Sequence, residues 1–406
     1  MISIILRRGL PYFLLFAIYA IVNSYLPLTL RALSFSASDI GILLGVMEVV
    51  GSLVPFFITP HLDKTGRYDR VMILLGIDIA LLLLPVYRFH SFFITAICLA
   101  LFSVGYKGFV PVLDGFTAKA LGVNRSQYGK IRALGSVGFV CLNLFLQFTP
   151  FISGKHPLSV ILTISCTALL LVVTLPFTPD LHRLVQTASP EHASRGENIA
   201  DESNTSEVLD ISRAAEYVEE EVKAVSFPRP FWESLLLIFL GFLGLVPSQR
   251  FFSLYVEEYV KIEASAGLWA LSAMAEIPIM IISGRLMQRF RKKQLIVACL
   301  VSMMIRNLCY LVLPGLSGAV IGQLLQSISF GLFYPLGVLL SAAHSRGRTA
   351  TAMTFFTAAN GIANVIGSMT GGYIIDYAGY PILFLVFSIF PLIGIGLSFL
   401  MQWKQE

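Results

Sequence analysis

Thr59-Pro-His-Leu-Asp63-Lys64-Thr-Gly66-Arg67-Tyr-Asp-Arg70 interrupts the chain between two long apolar runs, and Gly284-Arg-Leu-Met-Gln288-Arg289-Phe-Arg291-Lys292-Lys293 interrupts it again between two others. Both are short, strongly basic hairpin loops. Working outward from them, apolar segments cover 39–60 and 71–88 around the first, and 265–287 and 294–313 around the second. Each is about 18–25 residues long, the length that carries a helix across a hydrocarbon layer. A barrel strand would be about 10 residues of alternating polarity, and the runs do not alternate. The same pattern recurs at 10–33, 91–118, 131–151, 157–177, 231–255, 316–341, 349–375 and 380–401. Twelve spans are therefore expected. Turn chemistry separates several of them: Ser153-Gly154-Lys155-His156-Pro157, Pro314-Gly315 and Ala378-Gly379-Tyr380-Pro381.

Composition agrees with an all-α membrane protein. Of 406 residues, 56% are hydrophobic and 13% charged, where a soluble domain carries about 25% charged residues. Backbone groups in lipid must be satisfied within their own segment, which selects helices. Cys98, Cys141, Cys166, Cys299 and Cys309 all fall inside apolar runs, without the spacing of a disulfide framework or a metal site. Met1–Arg8 is too short for a signal peptide, so the first apolar run is expected to be a retained helix.

The net charge of +5 does not indicate a nucleic-acid partner, because the bases mark one membrane face. Of 29 Lys and Arg, 22 fall on one side of the predicted spans, four on the other and three within spans. The positive-inside rule then places both termini in the cytoplasm, as an even number of spans also requires. The stretch 178–230 breaks the apolar pattern, with eleven acids against five bases. It reads either as a mobile linker or as one containing a short amphipathic helix, since Val208, Ile211, Ala215, Val218 and Val222 recur at helical spacing. It divides the chain into bundles of six helices at 1–177 and 231–406.

The first basic loop resembles the loop signature of the major facilitator superfamily, Gly-x-x-x-Asp-Arg/Lys-x-Gly-Arg-Arg/Lys. It keeps the Asp-Lys-x-Gly-Arg core, with Thr59 at the leading Gly. The second keeps Gly284 and the bases, with Gln288 for Asp and Arg291 for Gly. The resemblance implies two pseudo-symmetric six-helix bundles, and a latching role between them for Asp63 and Arg67, echoed by Gln288 and Arg289. Pro111-Val-Leu-Asp114, Tyr128-Gly-Lys-Ile-Arg132, Gly135-Ser-Val-Gly138, Leu268-Trp-Ala-Leu-Ser-Ala-Met-Ala-Glu276 and Gln323-Leu-Leu-Gln326 are similar to the phenylpropionate-permease branch, related to lactose and nucleoside proton symporters.

Ionisable groups at membrane depth cost at least about 2.5–3.5 kcal/mol, so each requires a partner or a purpose. Glu48 and Glu276 lie at similar depths in matching helices and are the proton-coupling candidates; Lys107 and Arg250 are suited to an anionic or carboxylate solute. Structural pairings compete with these roles: Glu276 with Arg306, Asp114 with Arg132, and Asp78 with Lys107. Asn23, Tyr25, Asn143, Gln249, Gln323, Gln326, Asn360 and Asn364 either outline a cavity or act as interhelical glue.

No Walker loop, HExxH or GxSxG pattern occurs, so ATP-driven transport and hydrolysis have no visible machinery and no cofactor or metal is expected. The expectation is a non-enzymatic, monomeric, multi-pass protein of a bacterial inner membrane. It would move a small organic solute, with a proton, by alternating access. An exporter or lipid flippase of the same fold and a non-transporting membrane sensor are the competing readings.

Overall fold

The computed structural model describes residues 2–121, 128–149, 152–178, 227–313, 315–345 and 348–401. The side chains of residues 2–6, 56, 59–61, 63, 64 and 350 lie outside that description. Most of the predicted linker, with its amphipathic helix, and the Asp63 side chain are thereby left out.

The described residues form eleven helices long and apolar enough to cross a membrane. They are α1 (Ile2–Ala32), α2 (Ala37–Thr65), α3 (Tyr68–Phe89), α4 (Phe92–Leu121), α5 (Tyr128–Phe148), α6 (Pro157–Phe177), α7 (Arg229–Arg250), α8 (Ser265–Arg289), α9 (Lys292–Val312), α10 (Leu316–Ala343) and α11 (Thr349–Leu400). The last two predicted spans join in α11, whose 52 residues turn at Gly379, φ 79° and ψ 176°, a conformation open to glycine. Two apolar legs, 349–378 and 380–400, result.

The two basic hairpins turn by different means. Gly66 ends α2 in the left-handed region (φ 64°), its N–H returning 2.8 Å to the Leu62 carbonyl. Arg291 stands where the second loop would need such a glycine. There the chain passes through extended Phe290 and Arg291 instead, and the Arg291 N–H bonds to Gln294 at 3.3 Å. Arg67, Gln288 and Arg289 are exposed on this basic face.

Packing between the first six helices and the rest is closest away from the basic face. Gly41, Gly45 and Gly372 let α2 and α11 meet backbone to backbone; a Cβ at Gly41 or Gly372 would run into the carbonyl oxygen of Ser368 or Ala37. At the far ends of α5 and α8, the Gly267 N–H donates to Gln147 Oε1 at 2.8 Å. At the basic ends of the same two helices a Cβ on Gly129 or Gly284 would meet nothing within 4 Å. The pair touches on the far face, and its two glycines near the basic one face open space.

Candidate functional site

Helical periodicity aims side chains from eight helices at one central cavity of about 360 Å³. Phe16, Tyr19 and Asn23 come from α1, and Trp269, Ser272, Ala273, Glu276, Ile277 and Met280 form one stripe of α8. In α10 a π-helical turn over Ser327–Leu332 interrupts the α-helix, and Gln326, Phe330 and Tyr334 line the cavity at every fourth residue. Such turns are frequent at functional sites. Tyr106, Lys107, Ser136, Phe139, Gln249, Arg250, Asn360 and Asn364 complete most of the wall. The lining is rich in rings and amides, with four ionisable groups among them.

Glu48 organises the charges. Its side chain is only 4% exposed; Lys107 Nζ approaches its Oε2 at 3.1 Å, and the Arg250 guanidinium bonds to the same oxygen from α7. Gly51, one turn along α2, leaves the room that Lys107 needs to lie against that helix. Arg250 Nε also donates to Asn364 Oδ1 at 3.3 Å, and Asn364 Nδ2 donates to Asn360 Oδ1 at 2.8 Å. The cluster thus ties the first six helices to the last five at mid-depth. Glu276 lies on another wall, which Gln326 also lines.

Two expected pairings are corrected. Asp78 does not neutralise Lys107: its carboxylate accepts the Gly105 N–H at 2.8 Å, while Lys107 turns to Glu48. Glu276 and Arg306 do not form a direct ion pair. Arg306, 1% exposed, donates to Gln326 Oε1, to Gln323 Oε1 at 2.9 Å and to the Tyr310 hydroxyl at 3.1 Å, so Gln326 stands between the two charges. Asp114 and Arg132 do approach, at 3.9 Å, with Tyr12 donating to Asp114 at 2.7 Å.

Three cavity candidates lie elsewhere. Asn143 is buried between α5 and α1, accepting the Ser24 hydroxyl at 2.7 Å. Gln323 serves Arg306. Tyr25 lines a separate far-face pocket of about 290 Å³ with Gln147, Glu257, Glu263 and Ser265.

The far face is closed above the central cavity. On that side Trp269, which lines the cavity, continues into a buried aromatic cluster of the later helices, Phe252, Tyr255, Tyr310 and Phe384, with ring centroids 4.9–5.9 Å apart along the chain of contacts. Outside it, Arg31 Nε meets Glu258 Oε1 at 2.5 Å, Tyr380 donates to Glu258 at 2.5 Å, and Lys155 bridges to Glu263. These far-face acids escaped the sequence reading. Their signal was the clustering of Glu257, Glu258 and Glu263 in a short stretch after the linker, facing Arg31 and Lys155 from before it.

Burial first, then nearby Glu263, pushes Glu257 up to about 7, against the opposing pull of Lys155. In a hydrated, open far face Glu257 would regain its ordinary, lower value. The closed form therefore holds the proton more tightly and loses that stabilisation as pH rises through about 7. We expect the fraction of molecules closed on the far face to fall between about pH 6 and about pH 8, less so in Glu257→Gln. Distances between labels across that face measure it; a pH-independent distribution in both proteins would contradict it.

The comparisons with known proteins fit this architecture. The MFS_1-like family model matches residues 6–386, and the chain belongs to that family of major facilitator transporters, which are not enzymes. It is similar to an uncharacterised transporter, YwbF, of Bacillus subtilis (strain 168), at 22% identity over 98% of this chain and 94% of that one. It is also similar to the maltose permease of Geobacillus stearothermophilus, at 23% identity over 97% and 93%. Among solved structures, a mutant form of the nucleoside transporter NupG superposes with a TM-score of 0.74 at 14% identity, covering 98% of this chain and 99% of that one. An inward-open form of the xylose transporter XylE from E. coli gives 0.63 at 15% identity, over 98% and 95%. The protein is thus a multi-pass integral membrane transporter of the major facilitator fold.

Proposed function

We propose that the chain is a twelve-span, proton-coupled symporter for a small organic carboxylate bearing a ring. In this reading the legs of α11 are separate spans, and 1–177 and 231–406 are pseudo-symmetric bundles joined by the linker 178–230. The basic face and both termini lie in the cytoplasm, by the positive-inside rule, and the protein acts as a monomer in a bacterial inner membrane. The far-face contacts between the two groups of helices correspond to an inward-facing stage of alternating access.

The single observation that carries the proposal is the charge set of one cavity: Lys107, Arg250, Glu48 and Glu276. With both carboxylates ionised the four groups cancel. A proton on Glu276, outside the Lys107–Glu48–Arg250 cluster, leaves one cation unmatched, and a substrate carboxylate restores neutrality. A low-dielectric cavity favours that neutral sum, so proton and anion load together. Rings of Phe16, Tyr19, Tyr106, Phe139 and Trp269 supply an apolar wall for the rest of the solute.

Reconstituted protein tests this through uptake of labelled 3-phenylpropionate, compared with a sugar and a nucleoside. Uptake of the carboxylate above protein-free vesicles, driven by an inward proton gradient, supports the reading. Uptake of only the neutral solutes overturns the substrate class. A lipid-flipping reading draws on one feature, an apolar crevice of about 300 Å³ between α2 and α11 that shares Glu48 with the cavity; a lipid-reorientation assay on the same vesicles decides it.

A further inference from the structure

The first turn of α2 presents backbone N–H groups that no helical carbonyl can accept. The helix satisfies one of them itself: Ser36 Oγ takes the Asp39 N–H at 3.0 Å, and Asp39 returns the bond to the Ser36 N–H at 3.1 Å. The N–H groups of Ala37 and Ser38 are taken instead by Asp376, near the end of the first leg of α11. Asp376 Oδ1 accepts from Ala37 N at 3.0 Å, and Oδ2 accepts from Ser38 N at 2.7 Å and from Ser38 Oγ at 2.6 Å. A helix begun by the first half of the chain is thus capped by a carboxylate from the second half.

We propose that Asp376 is a far-face latch, whose cap on α2 sets the balance between closed and open forms of that face. The inference rests on the alternating-access reading above. Three successive turns of one α11 stripe form the contact. The Ser368 carbonyl abuts Gly41, Gly372 abuts the Ala37 carbonyl, and Asp376 reaches the helix end. The first two contacts bring the backbones together, and the third fixes their register. Opening the far face separates α2 from this stripe, strips Asp376 of three donors and leaves two N–H groups to water.

The other far-face ties are of a different kind. Lys155 and Glu263 are each 67% exposed, and Arg31 and Glu258 each 31%. Pairs between long, exposed side chains contribute little and can follow a moving partner. Asp376 is itself exposed, but its side chain is short, and its partners include two backbone N–H groups at the positive end of a helix, where a carboxylate is favoured. Charge-assisted bonds of that geometry are made or lost together.

The test places spin labels at Phe93→Cys and Leu316→Cys, exposed far-face positions on opposite sides of the linker, in a background with the native cysteines replaced. Distance distributions are compared for the unmodified latch, Asp376→Asn, Asp376→Ala and Ser38→Ala, with uptake measured on the same proteins. Asp376→Ala is expected to lower the closed-to-open ratio roughly tenfold, as loss of bonds to a charged group implies. Asp376→Asn, which keeps an acceptor but no charge, should fall between, and Ser38→Ala should shift in the same direction. If Asp376→Ala fails to elute as a folded monomer, the two milder variants carry the comparison. Distributions unchanged in every folded variant overturn the latch, even where uptake persists. Shifted distributions without uptake of any solute by the parent protein uphold the latch and count against the transport reading alone.

Discussion

Glu48→Gln is expected to abolish solute uptake and to destabilise the fold by about 3–5 kcal/mol, the usual cost of leaving a buried ion without its partner. The size of the effect follows from the number of charges involved. One carboxylate, 4% exposed, answers both Lys107 and Arg250. Its loss leaves two cations facing each other across the junction of α2, α4 and α7. Thermal unfolding in detergent reads the stability term. Glu48→Gln combined with Lys107→Gln removes one of the orphaned cations and should recover much of the unfolding temperature without recovering uptake. An unfolding temperature unchanged in the single variant would show that the cluster is not what joins the helices at mid-depth.

The second large effect concerns coupling rather than folding. Glu276 lines the cavity outside the cation cluster, so Glu276→Gln replaces one polar side chain by another of the same shape. The variant mimics a permanently protonated site. It should bind and exchange solute across the membrane yet lose the ability to concentrate it. A gradient of one pH unit corresponds to about tenfold in equilibrium, so a one-proton symporter should approach tenfold accumulation, and Glu276→Gln a ratio near unity. Exchange of labelled for unlabelled solute should continue in the variant. Retained accumulation in Glu276→Gln would move the coupling site elsewhere.

Much of this architecture was legible in the sequence because hydropathy and charge are one-dimensional signals. The apolar runs foretold the long helices and the basic hairpins marked where α2 and α8 end, and Gly66 lies where the loop pattern required a turn. The final two apolar runs, 349–375 and 380–401, form one helix, α11, which turns at Gly379 between them. The azimuth of each intramembrane charge was not readable. The partner expected for Lys107 was Asp78, and two glycines favour Glu48 instead. Gly105 exposes its N–H to Asp78, and Gly51 opens the path along which Lys107 reaches α2. Helix rotation likewise decided that Gln323 and Asn143 serve other side chains while Gln326 and Asn364 face the cavity. Tyr25 is on the expected helix but in another compartment, since it lies two residues, about half a turn, beyond Asn23 and lines the far-face pocket. The far-face contacts of Asp376 and Glu258 were harder still. They depend on how the two groups of helices meet, and a contact of that kind leaves no local periodicity to read.

The central claim is that one proton and one carboxylate travel together as a neutral sum through a cavity holding Lys107, Arg250, Glu48 and Glu276. Initial uptake of 3-phenylpropionate into proteoliposomes, with the pH gradient and the membrane potential imposed independently, tests it most directly. Uptake is expected to rise with an inside-alkaline gradient, to stay constant when the potential alone is changed, and to be absent in Glu48→Gln. Uptake driven by the membrane potential without a pH gradient, or no carboxylate uptake above protein-free vesicles, would contradict it.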